Sequence, residues 1–517
     1  MKMKNIIFCL SLMTVLLSSC VKDEGTNDLN NINEVKVSGL EKSYVVVSGV
    51  ESLKIKPEVK CSDINTNVDN LEYQWFVSQG VSTSLVHTEL GKSRDLDYLV
   101  KLTPGDYTLY LSIKDPSTGI KWENSSSLRV STPFTRGFYL FGDKEDGTCG
   151  LDFVSMLEKK DTSVVKDVFV NSKKMKTAKN LIFTGNNWTP DPVALWAVGG
   201  SESYSIEWTA AKSLFDIRTE ISAKTLFFPT IPVSEPIRVI DVFPHQIGSN
   251  SQGLSNRSRI MLTEHEIFTT SLYGEEAYGN PVNRYSSSSE ELFQPSPYVF
   301  WKGNSTYVSG VMLYDKTNET FASLFSYSFA SNCRQLKDSE SPFYFNQKQY
   351  TPSRTLVYGE NGAGNNGRSY ALMSDGTDFY IYRFTVSSYS VTKTASDKLD
   401  HTVVLDLDKA SHYAFFSMQP ILLYSIGSKL WAYDYNRKEL KMLQDFGSEI
   451  TYMAMDYNSN DEPTDFIVAT YSASEKGVVR KYTLADDANA IILTPHEKEV
   501  WKTNLKVKKV EYRNCSM

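Results

Sequence analysis

The chain has 517 residues, a formal charge of −7, and 41% hydrophobic and 12% aromatic residues. That length exceeds a single small core and is compatible with about three domains. Its mild acidity gives no electrostatic case for nucleic acid, which proteins bind by neutralising phosphates with Lys and Arg. Tyrosines, 30 in number, and other β-favouring residues come in short bursts between Gly, Asn, Asp and Pro, so the composition predicts an all-β chain with at most minor helix.

Lys2 and Lys4 precede an apolar run from Ile6 to Leu17, which ends in Leu17-Ser18-Ser19-Cys20. A basic start, a short apolar stretch and small residues describe a secretory signal over residues 1–19. The run is far short of the roughly 20 residues of a bilayer span. Leu-Ser-Ser-Cys resembles a bacterial lipobox, which implies that Cys20 receives lipid on its sulfur and becomes the new N-terminus. Acyl chains at about 0.8 kcal/mol per buried CH₂ then hold the protein on a membrane. Losing residues 1–19 removes two lysines and no acid, moving the formal charge from −7 to −9. The run Lys22-Asp23-Glu24 resembles the signal that places lipoproteins of Bacteroidota on the outer face of the outer membrane. Residues 20–33 then form a lipidated flexible tether. Its coil after Cys20 spans on the order of 20 Å.

Residues 34–132 read as the first folded domain. Leu53, Ile55 and Val59 belong to an early strand, and Leu71 to Val77 place apolar residues at odd positions. After the turn Pro104-Gly105-Asp106, Tyr107, Leu109, Leu111 and Ile113 alternate with Thr108, Tyr110, Ser112 and Lys114. Alternation of this length means one buried and one wet face. A turn at Asp115 to Gly119 leads to a last strand near Ser127 to Val130. A Trp on a central strand, followed some 30 residues later by a turn and a Tyr that opens an alternating strand, fits an immunoglobulin-type sandwich. Tyr73-x-Trp75 and Pro104-Gly105-Asp106-Tyr107-Thr108-Leu109 resemble the PKD domain, although the usual Trp-Asp-Phe-Gly-Asp-Gly run is lacking. Trp75 is expected in the core.

Residues 133–517 change character. Strand–turn–strand units open at 138, 193, 259, 309, 369, 421 and 466. The clearest is Leu422 to Asp434, two strands around Gly427-Ser428, and Ser369 to Tyr382 repeats it around Ser374 to Asp378. Repeats of this length with four strands each predict a β-propeller, seven-bladed by count, with six or eight left open by the weakness of the repeats.

Chemistry is sparse in the sequence. The six histidines stand in no metal-ligand spacing, and no Gly-x-Ser-x-Gly elbow or phosphate loop occurs. The glycine-rich run Tyr358 to Gly367 reads as a mobile loop between repeats. Cys61, Cys149, Cys333 and Cys515 read as isolated thiols rather than a disulfide frame. Calcium has two weak candidates. One is Asp456, Asn458 and Asn460, which departs from an EF-hand loop at Asp461 and Ile467; the other is the group Asp143, Glu145, Asp146 and Asp152. No cofactor is otherwise indicated. Loop aromatics give the better signal: Trp188 in Asn186 to Pro192, and Tyr298 and Trp301 in Pro297 to Asn304, suit stacking on a sugar or peptide.

Together the lipobox, the acidic run, the PKD-like domain and the β-rich remainder resemble the PKD-like surface lipoproteins of Bacteroidota. The resemblance implies a non-catalytic accessory of a SusC/SusD-type outer-membrane importer, with that importer and neighbouring lipoproteins as partners. Its ligand would be an oligopeptide or oligosaccharide, or its role would be docking on the importer. A propeller-type surface hydrolase or lyase, and a structural adhesin or scaffold, are the alternatives.

Overall fold

The computed structural model describes residues 33–63, 66–79, 86–134, 136–157, 162–183, 195–209, 214–245, 258–271, 277–303, 308–404, 406–459, 463–486 and 490–514. Cys20, Lys22, Asp23, Glu24, Trp188 and Asn460 lie outside them. The chain is all-β and forms two compact units. One runs up to Val130, and the other spans Ser131–Met517 with two short additions, Val47–Gly49 and Lys101–Gly105.

The first unit contains β1 (Val35–Ser38), β2 (Ser43–Val47), β3 (Ser52–Ile55), β4 (Glu58–Cys61), β5 (Glu72–Gln79), β6 (Val86–Gly91), β7 (Leu96–Leu99), β8 (Gly105–Lys114) and β9 (Lys121–Ser131). A five-stranded sheet has the order β2-β9-β8-β5-β6, and β1-β4 and β3-β7 form two-stranded sheets. The alternation in sequence becomes burial. Tyr73, Trp75 and Val77 are buried on β5, and Tyr107, Leu109, Leu111 and Ile113 on β8. Trp75 is fully buried and donates its indole N–H to the carbonyls of Ser93 (3.0 Å) and Arg94 (3.2 Å), which removes the cost of burying that donor. The last strand begins six residues before its expected start, because Lys121 to Ser126 pair through the backbone and bury little until Ser126.

The second unit is a succession of antiparallel sheets. Sheet one joins β10 (Arg136–Asp143), β11 (Cys149–Ser155) and β12 (Ser163–Val165). Sheet two is β13 (Asn180–Phe183), β14 (Leu195–Val198), β15 (Ser203–Thr209) and β16 (Leu214–Ser222). Sheet three is β17 (Val239–Phe243), β18 (Ser258–Thr263) and β19 (Ile267–Ser271). Sheet four is β20 (Pro295–Phe300), β21 (Gly310–Asp315), β22 (Thr320–Phe325) and β23 (Arg334–Gln335). Sheet five is β24 (Thr355–Asn361), β25 (Ser369–Ser374), β26 (Phe379–Val386) and β27 (Val391–Lys398). Sheet six is β28 (His412–Phe416), β29 (Ile421–Ile426), β30 (Lys429–Asp434) and β31 (Glu439–Asp445). Sheet seven is β32 (Glu449–Met455), β33 (Asp465–Ser472), β34 (Lys476–Asp486) and β35 (Ile491–Thr503). The final strand, β36 (Lys506–Asn514), returns to the start and pairs with β10, from Arg136↔Asn514 to Asp143↔Lys506.

Both faces of these sheets are apolar, and successive residues point to different neighbours. On β20, Val299 packs with sheet three, whereas Phe300 packs with sheet five. On β29, Ile421 and Leu423 face sheet seven while Leu422 and Tyr424 face sheet five. One hydrophobic cluster fills each interface between consecutive sheets, and Phe138, Leu140, Trp501, Val507 and Val510 fill the one between sheets seven and one. The strands β36, β13, β17, β20, β24, β28 and β32 neighbour one another in that order, and β32 neighbours β36 again. The arrangement is propeller-like. Its turns use the expected chemistry: Gly427 adopts φ +58, and Asp434 accepts from the N–H groups of Asn436 and Arg437, both at 2.8 Å.

Candidate functional site

The strands that neighbour one another around this arrangement enclose a cavity of about 320 Å³ within the second unit. It is lined from β10 and β36 (Phe138, Lys509 to Tyr512), from β17 and just beyond (Asp241, Phe243, His245), and from β20 (Pro297 to Val299). Trp301, Tyr358 to Asn361 on β24, and Tyr452 to Asn458 on and after β32 complete it, with Ile467 of β33. A volume near the lower end of small-molecule pockets, mixing rings with a few polar groups, suits a compact ligand.

Its charged side chains fall into pairs, with one exception. Asp241 lies 2.6 Å from His245 Nε2, and Lys509 lies 3.4 Å from Glu511. Burial opposes the charge on Lys509, and the Glu511 carboxylate outweighs it, so its pKa is held above the ordinary lysine value. Burial likewise pushes the Glu511 carboxyl up, against the pull of Lys509. Asp456 is answered by the Lys481 ammonium at 3.1 Å. Glu360 is the exception. Its Oε2 accepts from the Phe415 backbone N–H (2.7 Å) and the Tyr358 hydroxyl (3.1 Å). Among the described residues its Oε1 has no hydrogen-bond partner, and no cation lies within ion-pair distance. Burial pushes this carboxyl up to about 7.

The rings around Glu360 are held in place. Tyr298 meets Tyr358 edge to face at 5.5 Å and donates its hydroxyl to the Val357 carbonyl at 3.4 Å. Tyr452 donates to the Val510 carbonyl at 3.2 Å. Burial raises Tyr298 and Tyr452 to about 12 each and Tyr358 well above its ordinary value, so all three are neutral hydroxyls at physiological pH. Gly359 lets this wall close, because a Cβ there would sit 2.6 Å from the Phe300 ring and 2.8 Å from Tyr298 Cβ.

The structure revises several expectations from the sequence. Pro297 to Trp301 are not a ligand-stacking loop. Residues up to Phe300 are strand β20, and Trp301 is a core ring, 3% exposed, edge to face with Phe243 at 5.6 Å. The apolar run arises because a strand packed on both faces needs no polar alternation. Tyr298 and Trp301 nonetheless share one cavity. The glycine-rich segment is also not a loop throughout, since Tyr358 to Asn361 are the inner end of β24. In the calcium candidate, Asp456 accepts from the Asn458 and Ser459 N–H groups (both 3.1 Å) and from the Ser459 hydroxyl, and the Lys481 ammonium stands where a cation would. The acids of the other group face separate partners: Asp143 the Ala178 N–H, Glu145 Lys476, Asp146 Thr148 and Asp152 Thr503. No cluster of three His, Cys, Asp or Glu with metal-holding geometry occurs among the described residues. Cys61, Cys149 and Cys333 are free thiols.

Sequence reasoning does not single out Asp241, His245, Glu360, Lys509 or Glu511. The segment Val507 to Tyr512 carries the usable signal: an apolar residue at 507, 510 and 512 with charge between them, at the end of a repeat protein whose ring needs a closing strand.

A search of curated proteins finds no match. Among solved structures, the chain is similar to a quinonprotein alcohol dehydrogenase-like protein from Bacteroides thetaiotaomicron, with 13% identity, 93% of this chain and 99% of that one covered, and a TM-score of 0.40. A protein from Lactobacillus plantarum matches at 11% identity over 72% of this chain and 95% of its own, with a TM-score of 0.34. An extracellular domain from a B. thetaiotaomicron one-component system matches at 11% identity, covering 88% of this chain and 55% of its own, with a TM-score of 0.35. At these scores the fold rests on the strand pairing rather than on the likeness. The model of the PKD-like family matches residues 20–179, which bears out the PKD-like resemblance for the N-terminal part of the chain.

Proposed function

We propose that this protein is a lipid-anchored lipoprotein on the outer face of a bacterial outer membrane, a non-catalytic accessory of a SusC/SusD-type importer. In this reading its second unit is a seven-bladed propeller that captures a compact nutrient-derived ligand in its central cavity. The cyclic order of inner strands and the β10–β36 pairing support the seven-bladed ring. The observation that carries the capture reading is the cavity itself: rings fixed by packing and hydrogen bonds around one carboxylate without a counter-charge, Glu360. The lipobox at Cys20 and the run Lys22-Asp23-Glu24 support the address.

Copurification tests the association. Native protein extracted from membranes is expected to bring an outer-membrane importer with it, and Cys20→Ala is expected to release the protein from the membrane. Wild-type protein that resists protease on intact cells until the outer membrane is broken would overturn the surface location. One observation favours a second reading, a surface hydrolase or lyase. The Asp241–His245 pair, 2.6 Å apart, shares the cavity with the Glu360 carboxyl, which burial raises to about 7, a set of groups suited to general acid–base work. Turnover of glycan or peptide panels, lost in His245→Gln, would decide for that reading.

A further inference from the structure

We propose that the cavity selects its ligand by an organic ammonium group, the amine of a short peptide or amino acid, with Glu360 as its counter-charge and the tyrosine rings as its walls. This rests on the capture reading above and names the ligand class for that site.

Three observations converge on it. First, the cavity wall carries the carboxylates of Asp241, Glu360, Asp456 and Glu511, and the basic side chains near them are committed: His245 to Asp241, Lys509 to Glu511 and Lys481 to Asp456. Glu360 alone among them has no cation within ion-pair distance among the described residues, and its Oε1 has no hydrogen-bond partner there. A desolvated carboxylate without a counter-charge is costly even when hydrogen-bonded, and an incoming ammonium supplies the missing charge. Second, Tyr298, Tyr358 and Tyr452 line the same space, and ring faces attract cations where water is excluded. Third, the alternatives leave the site unsatisfied. A neutral sugar would pair with the hydroxyls and leave Glu360 uncompensated, and an anion would be repelled by it.

The site also carries a proton signature. The titratable groups facing Glu360 are Tyr358 on its own strand, Tyr370 on β25, and Tyr452 and Tyr457 on and after β32, all raised by burial and neutral. The empty carboxyl therefore titrates near pH 7. Because an ammonium binds the ionised form, affinity must rise with pH through that range, with release of a proton on binding.

The test is titration calorimetry on the full chain in detergent, with the dipeptide Ala-Lys, its doubly N-acetylated form and maltose as probes. Ala-Lys is expected to bind, and acetylation of its amines to weaken binding at least tenfold, on the order of 1.4 kcal/mol. Glu360→Gln keeps an oxygen for the Phe415 and Tyr358 donors, so it should remain folded, bind Ala-Lys at least tenfold more weakly, and lose the rise in affinity between pH 6 and 8. Equal binding of the acetylated peptide, or undiminished binding by Glu360→Gln with its pH dependence intact, would overturn the ammonium assignment. If maltose or the acetylated peptide binds and Ala-Lys does not, the cavity captures ligands but not by an amine. If none of the three binds, the amine assignment and the capture reading both fall.

Discussion

Lys481 offers the sharpest quantitative test of the second unit. It lies on β34 with 1% of its side chain exposed. Its ammonium is 3.1 Å from Asp456 and 2.7 Å from Asp465, each 3% exposed, and it donates to the Ser459 hydroxyl at 2.7 Å. Burial opposes the lysine charge, but the two carboxylates outweigh it and hold its pKa above the ordinary value. Lys481→Met keeps most of the stem volume and removes the charge. Asp456 retains the Asn458 and Ser459 donors and Asp465 its contacts with Thr483 and His496, but both buried carboxylates lose the Lys481 ammonium. Breaking such a pair from one side costs about 3–5 kcal/mol, chiefly the penalty of the stranded charge.

An unfolding entropy of roughly 2 cal/mol/K per residue makes this a drop of about 4–6 °C in Tm for a unit of this size. The sign of the pH dependence follows. Protonation neutralises the charges that Lys481 no longer answers, so the variant regains stability as pH falls. Calorimetry at pH 8 and pH 5 should therefore show a large deficit at the higher pH and a smaller one at the lower. A variant melting within a degree of wild type at pH 8, or a deficit equal at both values, would refute the reasoning.

Trp301→Ala removes a core ring, so a loss of about 3–5 kcal/mol is expected, read as an earlier melt of the second unit with or without ligand. Glu360→Gln is expected to do the reverse. Wild-type Glu360 titrates near 7 when folded, so the protein loses stability as pH rises from the ordinary glutamate value towards 7, by roughly 1.4 kcal/mol per pH unit. The variant should match wild type near pH 4 and melt above it at pH 8. Truncation after Thr503 removes β36 with Val507, Val510 and Tyr512, leaving Phe138 and Leu140 uncovered. Limited proteolysis should then cut β10 to β12, which stay resistant in the full chain.

Much of this fold is legible in advance because hairpins announce themselves. The units opening at 259, 309, 369, 421 and 466 coincide with β18–β19, β21–β22, β25–β26, β29–β31 and β33–β34, each pair joined by a short polar turn. The first strand of nearly every sheet gives no such signal. Asn180–Phe183, Val239–Phe243, Pro295–Phe300 and Thr355–Asn361 follow long connections rather than tight turns, and their residues do not alternate between apolar and polar. Each packs against a sheet on either side, so the period-two pattern that marks a half-wet strand is absent.

The same physics explains why the candidate site is harder to read than the fold. A ring of sheets brings its least hairpin-like strands to the middle, where the cavity forms. Glu360 sits in a run that reads as a loop for its glycines, yet Gly359 is small because Phe300 and Tyr298 approach it, not because the chain turns there. Lys509 and Glu511 come from the far end of the chain and reach the site only through pairing with β10, some 370 residues away. Tyr298 stands out in the sequence for its ring, but its place on a strand comes from packing that no local pattern reveals. A desolvated carboxylate without a counter-charge is a cost that folding alone gives no reason to keep. That cost at Glu360, set among side chains that are otherwise paired, is the strongest argument that this cavity is a binding site and not a packing defect.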